Sequence, residues 1–316
     1  STMKKILIVG AGGQIGSELV TYLRGLYGNG NVVAADLRQS ERLAADGPFE
    51  ILDALDAERY AELVRKYGID SIFNLAALLS AKGEANPTLA WKINIGALTN
   101  SLEVARQYNC ALFTPSSIGA FGGDFPRDNT PQDTIMQPNT MYGVCKVTGE
   151  LLSNYYHTRF GVDTRSVRFP GIISNVTLPG GGTTDYAVEI YYAAVKGERF
   201  VCPVSSNVYM DMMYMPDALR ATVELMEADP AKLKHRNSFN IASMSFTPEI
   251  IYAEIRKRLP EFEMVYDVDP VKEAIAESWP NKLDDTCARE EWGWKPQWDL
   301  SSMTDDMLRA VRAKNL

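Results

Sequence analysis

Tyr142 and Lys146 stand four residues apart in the run Tyr142-Gly-Val-Cys-Lys146. Residues at that spacing share a face of a helix, so the pattern sets an ammonium beside a phenol. A free phenol titrates near ~10, too high for a base at neutral pH. A neighbouring cation stabilises the phenolate, and such a pair can take the hydroxyl proton of an alcohol. The competing reading is an exposed helical tyrosine–lysine pair with no chemistry, which is common by chance.

Ser117 supplies a third polar group. It follows Pro115-Ser116 at the end of an apolar run, 111–114, that reads as a strand. Ligands of open α/β sheets bind at the C-terminal ends of strands, where the Ser117 hydroxyl can orient a substrate oxygen. A turn or helix cap is the alternative for a serine pair in this place.

A glycine pattern opens the chain. Gly10-Ala-Gly-Gly13-Gln14-Ile15-Gly16 lies between an apolar run, 4–9, and a helical pattern, 14–25. Gly10 permits a tight turn, Gly13 lets the backbone approach a pyrophosphate, and Gly16 allows close helix–strand packing. The helix N-terminus then presents free N–H groups and partial positive charge to the phosphates. Asp36 ends the next apolar run, about 20 residues on, where an acid accepts hydrogen bonds from an adenosine ribose. Asp36 also repels a 2′-phosphate, which favours NAD over NADP, although Arg38 follows beside Leu37. Asp53 can receive the adenine amino group or be a solvated turn acid. A nicotinamide ring would then accept the hydride of the alcohol that Tyr142 deprotonates, with Lys146 holding the nicotinamide ribose.

These groups need a frame. Apolar runs at 4–9, 32–35, 49–52, 71–75, 111–114 and 164–168 read as strands, and patterns at 14–25, 56–66, 88–107 and 141–160 read as helices, with Asp56 as an N-cap. The alternation implies an α/β fold, a Rossmann-type doubly wound parallel sheet covered on both faces. After Pro170 the rhythm changes. Helical stretches at 185–196 and 248–258, and tryptophans at 279, 292, 294 and 298, suggest a smaller C-terminal substrate-binding lobe. The division expected is residues 1–172 for cofactor binding and 173–316 for the smaller lobe, with segments returning to the first.

Composition narrows the classes of partner. The chain has 316 residues, 46% of them hydrophobic and 23% charged, enough for one large core shared by two lobes. The net charge of −8 with no basic stripe argues against nucleic acid and an anionic membrane surface. No apolar run approaches the ~20 residues that span a bilayer. Cys110, Cys145, Cys202 and Cys287 show no CxxC spacing, and His157 and His235 are the two histidines, so no metal site is expected. The scattered cysteines suggest buried small hydrophobes in a reducing compartment. Ser1-Thr2 ahead of Met3 reads as a cloning remnant with no signal peptide. The expected location is intracellular: cytoplasmic, or the mitochondrial matrix if a transit peptide has been removed upstream.

Taken in order, GAGGQIG (10–16), Asp36, Asn74-Leu75-Ala76-Ala77, Asn94, Ser117, YGVCK (142–146) and Arg168-Phe-Pro170-Gly resemble the extended short-chain dehydrogenase/reductase superfamily over the whole chain. The resemblance implies that Leu75, Ala76 and Ala77 line the cofactor groove, that Pro170 packs near the nicotinamide, and that Asn94 braces the sheet and the active site. Sugar-nucleotide epimerases and dehydratases of that superfamily carry an arginine for the substrate pyrophosphate and a histidine in an HVxD segment. Here Met210 and Tyr214 stand in those places, and a thioether cannot clamp phosphates.

The stretches 179–197, 212–229 and 274–296 instead resemble the short-chain L-threonine 3-dehydrogenases. That resemblance implies oxidation of L-threonine by NAD⁺ to 2-amino-3-oxobutanoate. It implies that Thr183, Thr184 and Asp185 contact the substrate, with Asp185 facing its ammonium, and that Ser80 and Ser116 serve its carboxylate or hydroxyl. Trp279 would shield the closed site from water. From the residues alone, Asp185 is equally a helix N-cap, Trp279 fits core packing at a loop, the more common fate of a tryptophan, and the methionines of 210–215 are packing. A homodimer through helices 88–107 and 141–160 is also implied. The other readings are a sugar-nucleotide epimerase or dehydratase, and a non-catalytic NAD-sensing binding protein, a class that often loses the tyrosine retained here.

Overall fold

In chain order the strands are β1 Ile6–Val9, β2 Val32–Asp36, β3 Phe49–Ile51, β4 Ser71–Asn74, β5 Ala111–Phe113, β6 Ser116–Ser117, β7 Thr164–Arg165, β8 Val167–Phe169, β9 Gly171–Ile173, β10 Phe200–Cys202, β11 Met210–Tyr214, β12 Phe239–Asn240, β13 Met244–Phe246 and β14 Met264–Tyr266. The helices are α1 Gln14–Tyr27, α2 Glu41–Ala45, α3 Ala57–Tyr67, α4 Ser80–Ala85, α5 Pro87–Tyr108, α6 Met141–Phe160, α7 Tyr186–Lys196, α8 Met215–Glu227, α9 Pro248–Arg256, α10 Pro270–Ser278, α11 Thr286–Trp292 and α12 Leu300–Arg312. These come from a computed structural model that describes residues 3–78 and 80–316. Ser1 and Thr2, on which the expectation of a cloning remnant falls, lie outside the described residues.

Six strands form a sheet in the order β3-β2-β1-β4-β5-β7, and every pairing is parallel. All residues of β1 and β4 are buried, which is why these strands read as continuous apolar runs rather than alternating ones. The strand order reverses between β1 and β4. The loops leaving these two strands diverge around a crevice there, the ligand position of open parallel sheets.

Helix starts are set by local chemistry. Asp56 caps α3 by accepting from Arg59 N at 3.1 Å, as its position predicts. Thr140 caps α6 by accepting from Gly143 N at 3.0 Å, and this fixes Tyr142 in the first turn. Gly161, with φ +70°, ends the same helix in the left-handed conformation.

The expected strand 164–168 is two strands. Ser166 N donates to the Arg236 carbonyl, and pairing passes from β5–β7 to β6–β8. This break lets the second segment join β12 as well, so Ser117 ends a strand supported from its neighbour.

The methionine run is explained by β11, which lies between β9 and β13. Met210 and Met212 pack into a core built from α7, α9 and α12, whereas Met213 and Met215 pack with β1 and α1. Both faces of β11 are therefore buried in separate cores, and unbranched thioethers fill them. Phe239, Ile241 and Trp294 share the core of β1 and α1. Among the described residues no helix is long and apolar enough to cross a membrane.

Candidate active site

A cleft of about 370 Å³ runs from the α1 N-terminus to Trp279. Its first wall is the glycine loop. Gly10 has φ +80°, and a Cβ there would lie 2.6 Å from Ala76 N. A Cβ on Gly16 would lie 2.4 Å from the Gly10 carbonyl oxygen. No larger residue fits either place without moving backbone. Gly13 occupies the N-cap of α1 with no side-chain cap, and no acid stands in the first turn. The amides of that turn are thus left for a ligand, and the site suits an anion. Gly10, Gly13, Gln14, Ile15, Gly16, Leu75, Ala76, Ala77, Asn94 and Pro170 all line the cleft. Asn94 accepts from Leu78 N at 2.8 Å and so braces the chain leaving β4.

Asp36 lies beside this wall, where one carboxylate oxygen accepts from Gly12 N and the other from Leu37 N, each at 2.7 Å. A carboxylate has about four acceptor positions, so capacity for ribose hydroxyls is left. Leu37 and Arg38 are exposed and do not line the cleft. Asp53 is exposed as well, and its side chain accepts from Leu55 N at 2.9 Å, the geometry of the solvated turn acid.

The Tyr142 and Ser117 side chains converge on one glycine. A Cβ on Gly119 would lie 2.9 Å from Tyr142 Cε1 and 3.4 Å from Ser117 Oγ, so both side chains border the same small volume. Ser117 Oγ accepts from Gly119 N at 3.0 Å, and its own proton has no protein acceptor among the described residues. Lys146 Nζ donates to the Pro115 carbonyl at 2.9 Å and lies 5.3 Å from the centroid of the Tyr142 ring. Tyr142, Lys146 and Ser117 are half-buried and open to the cleft.

The opposite wall comes from the loop before α7 and from Trp279. Thr183, Thr184, Asp185, Ser80 and Trp279 line the cleft. Asp185 does not cap α7 with its side chain. Its Oδ2 accepts instead from Gly181 N at 2.8 Å and Gly182 N at 2.6 Å, folding the glycine-rich loop back onto the carboxylate. Burial pushes this carboxyl up, and the two amides and Lys272 pull only part of the way back. Trp279 both lines the cleft and packs against the core built from α7, α9 and α12.

Ser116 also lines the cleft but is buried, and its hydroxyl donates to Glu150 Oε2 at 2.6 Å. Glu150 is held in turn by Arg168 at 2.9 Å, and Arg168 reaches the Gln132 carbonyl and Asn240. The sequence reading gave neither Glu150 nor Arg168 a role. Their signal was a charge inside an otherwise apolar strand and helix face. Gly119 and Gly143 were missed too. A Cβ on Gly143 would lie 2.4 Å from the Gly119 carbonyl oxygen, so these glycines let the α6 N-terminus approach Ser117.

A doubly wound parallel sheet with a glycine phosphate loop, a ribose acid and a tyrosine–lysine–serine cluster at the strand ends defines a dinucleotide-dependent enzyme class. The sequence profile of the NAD dependent epimerase/dehydratase family matches residues 6–242, and the chain belongs to that family. An uncharacterized epimerase/dehydratase of Staphylococcus aureus (strain MRSA252) is 57% identical over 315 residues, covering 99% of this chain and 98% of the relative. The structure of L-threonine dehydrogenase from Clostridium difficile superposes with a TM-score of 0.98 at 55% identity, covering 99% of each chain. The holo form of a GalE-like L-threonine dehydrogenase from Cupriavidus necator gives 0.95 at 50% identity, covering 97% of this chain and 99% of that one.

Proposed function

We propose that this chain oxidises L-threonine to 2-amino-3-oxobutanoate with NAD⁺. The observation that carries the chemistry is the convergence of Tyr142 and Ser117 on Gly119 with Lys146 one turn away. The substrate rests on the likeness to the threonine dehydrogenases above and on a cleft of mixed polar and apolar lining rather than a diphosphate clamp. Met210, where an epimerase arginine would stand, is fully buried.

The glycine loop and the uncapped α1 N-terminus fit a pyrophosphate, and Asp36 fits an unphosphorylated ribose. NAD⁺, when bound, supplies a hydride acceptor at nicotinamide C4. Ser117 donates its free proton to the substrate hydroxyl oxygen and orients it. Tyr142 Oη takes the hydroxyl proton as the carbinol carbon loses hydride. Lys146, anchored on the Pro115 carbonyl, holds positive charge beside the phenolate that does this. Thr183, Thr184 and Ser80 offer donors to the amino-acid carboxylate, and Asp185 offers negative charge to its ammonium. Trp279 excludes water from the pocket.

The assembly proposed is a homodimer through α5 and α6, which leave Leu89, Trp91, Val144, Leu151 and Tyr155 exposed. A thermal-shift screen tests the substrate class. L-threonine with NADH stabilises the protein beyond NADH alone. Stabilisation by a nucleotide sugar with no response to threonine would return the reading to an epimerase or dehydratase.

A further inference from the structure

Away from the cleft, the fold brings together three metal-ligand donors from distant segments. Cys287 and Glu291 lie one turn apart on α11, and His235 arrives 56 residues before Glu291. A ring nitrogen of His235, the Cys287 sulfur and a Glu291 carboxylate oxygen all lie within 4.8 Å of one another. Among the described residues this is the one histidine–cysteine–carboxylate group with such spacing.

The donors are held in place. Glu291 Oε1 accepts from Lys234 N at 2.6 Å and His235 N at 2.8 Å, which leaves Oε2 facing His235 Nδ1 at 2.6 Å. On the other side of the ring, Nε2 lies 3.2 Å from Asp133 Oδ2. The imidazole therefore carries a carboxylate on each nitrogen, and a neutral ring can donate to one of them. Both nitrogens are satisfied by a second ring proton or by a metal on Nδ1, and the metal-bound arrangement matches the ordinary one, in which a ligating histidine gives its second N–H to a carboxylate. Burial first, and then the charges of Glu291, Asp133, Glu290 and Asp284, push the Cys287 thiol up, so without a cation it keeps its proton.

We propose that His235 Nδ1, Cys287 Sγ and Glu291 Oε2 bind a zinc ion, with Asp133 orienting the imidazole and water completing a tetrahedron. One nitrogen, one thiolate and one carboxylate are a donor set suited to Zn²⁺. Binding releases two protons to solvent, the Cys287 thiol proton and the one His235 Nδ1 shares with Glu291 Oε2. The ion would pin the segment that leads to Ser238, a cleft-lining residue, against α11. It lies outside the reaction chemistry.

The test uses the full chain after dialysis against a chelator, titrated with Co²⁺ and then with Zn²⁺. The expected result is one Co²⁺ per chain with a thiolate charge-transfer band and tetrahedral d–d bands, displaced by Zn²⁺. Cys287→Ser abolishes the thiolate band while still binding NADH. Asp133→Asn, an exposed change, weakens binding about 10–100-fold. Absence of stoichiometric Co²⁺ uptake, or a spectrum unchanged by Cys287→Ser, overturns the site and leaves an imidazolium between two carboxylates.

Discussion

The Lys146 ammonium lies between two partners, 5.3 Å from the centroid of the Tyr142 ring and 2.9 Å from the Pro115 carbonyl oxygen. Two partners hold one charge, and a neutral side chain replaces neither. Lys146→Met is expected to lower kcat and also to weaken NADH binding, because the ammonium serves the phenol and the cofactor ribose together. Fluorescence titration with NADH beside steady-state rates checks this. Unchanged cofactor affinity would confine Lys146 to the tyrosine.

Gly119 borders both the Tyr142 ring and the Ser117 hydroxyl. Gly119→Ala puts a methyl 2.9 Å from the Tyr142 ring and 3.4 Å from Ser117 Oγ, closer than a ring in contact tolerates. The expected result is a fall in kcat of at least about tenfold, as small misplacements of catalytic groups are costly. Gly25→Ala is the control, since a Cβ there meets nothing within 4 Å. Helix propensity favours that change by roughly 0.5–1 kcal/mol. Equal kinetics in the two variants would remove Gly119 from the positioning of Tyr142.

Asp185 anchors the glycine-rich loop, and substitution can separate that from the ammonium recognition proposed for it. Asn keeps an oxygen for the amides of Gly181 and Gly182 but loses the charge. Asp185→Asn is expected to raise KM for L-threonine and leave a deaminated 3-hydroxy acid little changed. Asp185→Ala loses the loop anchor as well and is expected to impair both substrates. If Asp185→Asn affects the two substrates alike, the charge does not recognise an ammonium.

Asp211 gives stability an unusual pH dependence. It is fully buried, accepts from Leu283 N at 3.0 Å, and has its other oxygen unpartnered. Burial pushes its carboxyl well above the ordinary carboxylate range. The folded state then binds a proton that the unfolded chain releases, so stability is lost as pH rises from about 4 upward. Asp211→Asn, a neutral isostere, is expected to flatten this slope. Denaturant midpoints of the two proteins from pH 4 to 8 provide the check, and parallel curves would contradict it.

Much of this site was readable because its chemistry is carried by side-chain type at fixed spacing. Tyr142 and Lys146 share a helix, and Thr140 caps that helix two residues earlier. The buried strands β1, β2 and β4 announce themselves because neither face meets water. The C-terminal half of the chain was less legible. Its strands are two to five residues long, and β11 is buried on both faces, so neither alternation nor length marked it. Two helices did leave signals that went unused: Pro216 opens α8, and Asp299 with Ser302 forms a capping box on α12. The Asp185–glycine bonds could not be read, because loop dihedrals decide where those amides point. The His235–Cys287–Glu291 group was hidden for a similar reason. Metal motifs are recognised by close spacing, and here one donor comes from a separate segment.

The deciding measurement is NADH formation by purified wild-type and Tyr142→Phe protein with L-threonine and NAD⁺. Wild type is expected to turn over L-threonine with NAD⁺ and only poorly with NADP⁺. The variant is expected to lose about 10²–10⁴-fold in kcat while binding NADH normally. Wild-type turnover in the variant, or no NADH from threonine by a protein that binds the cofactor, would contradict Tyr142 as the base acting on this substrate.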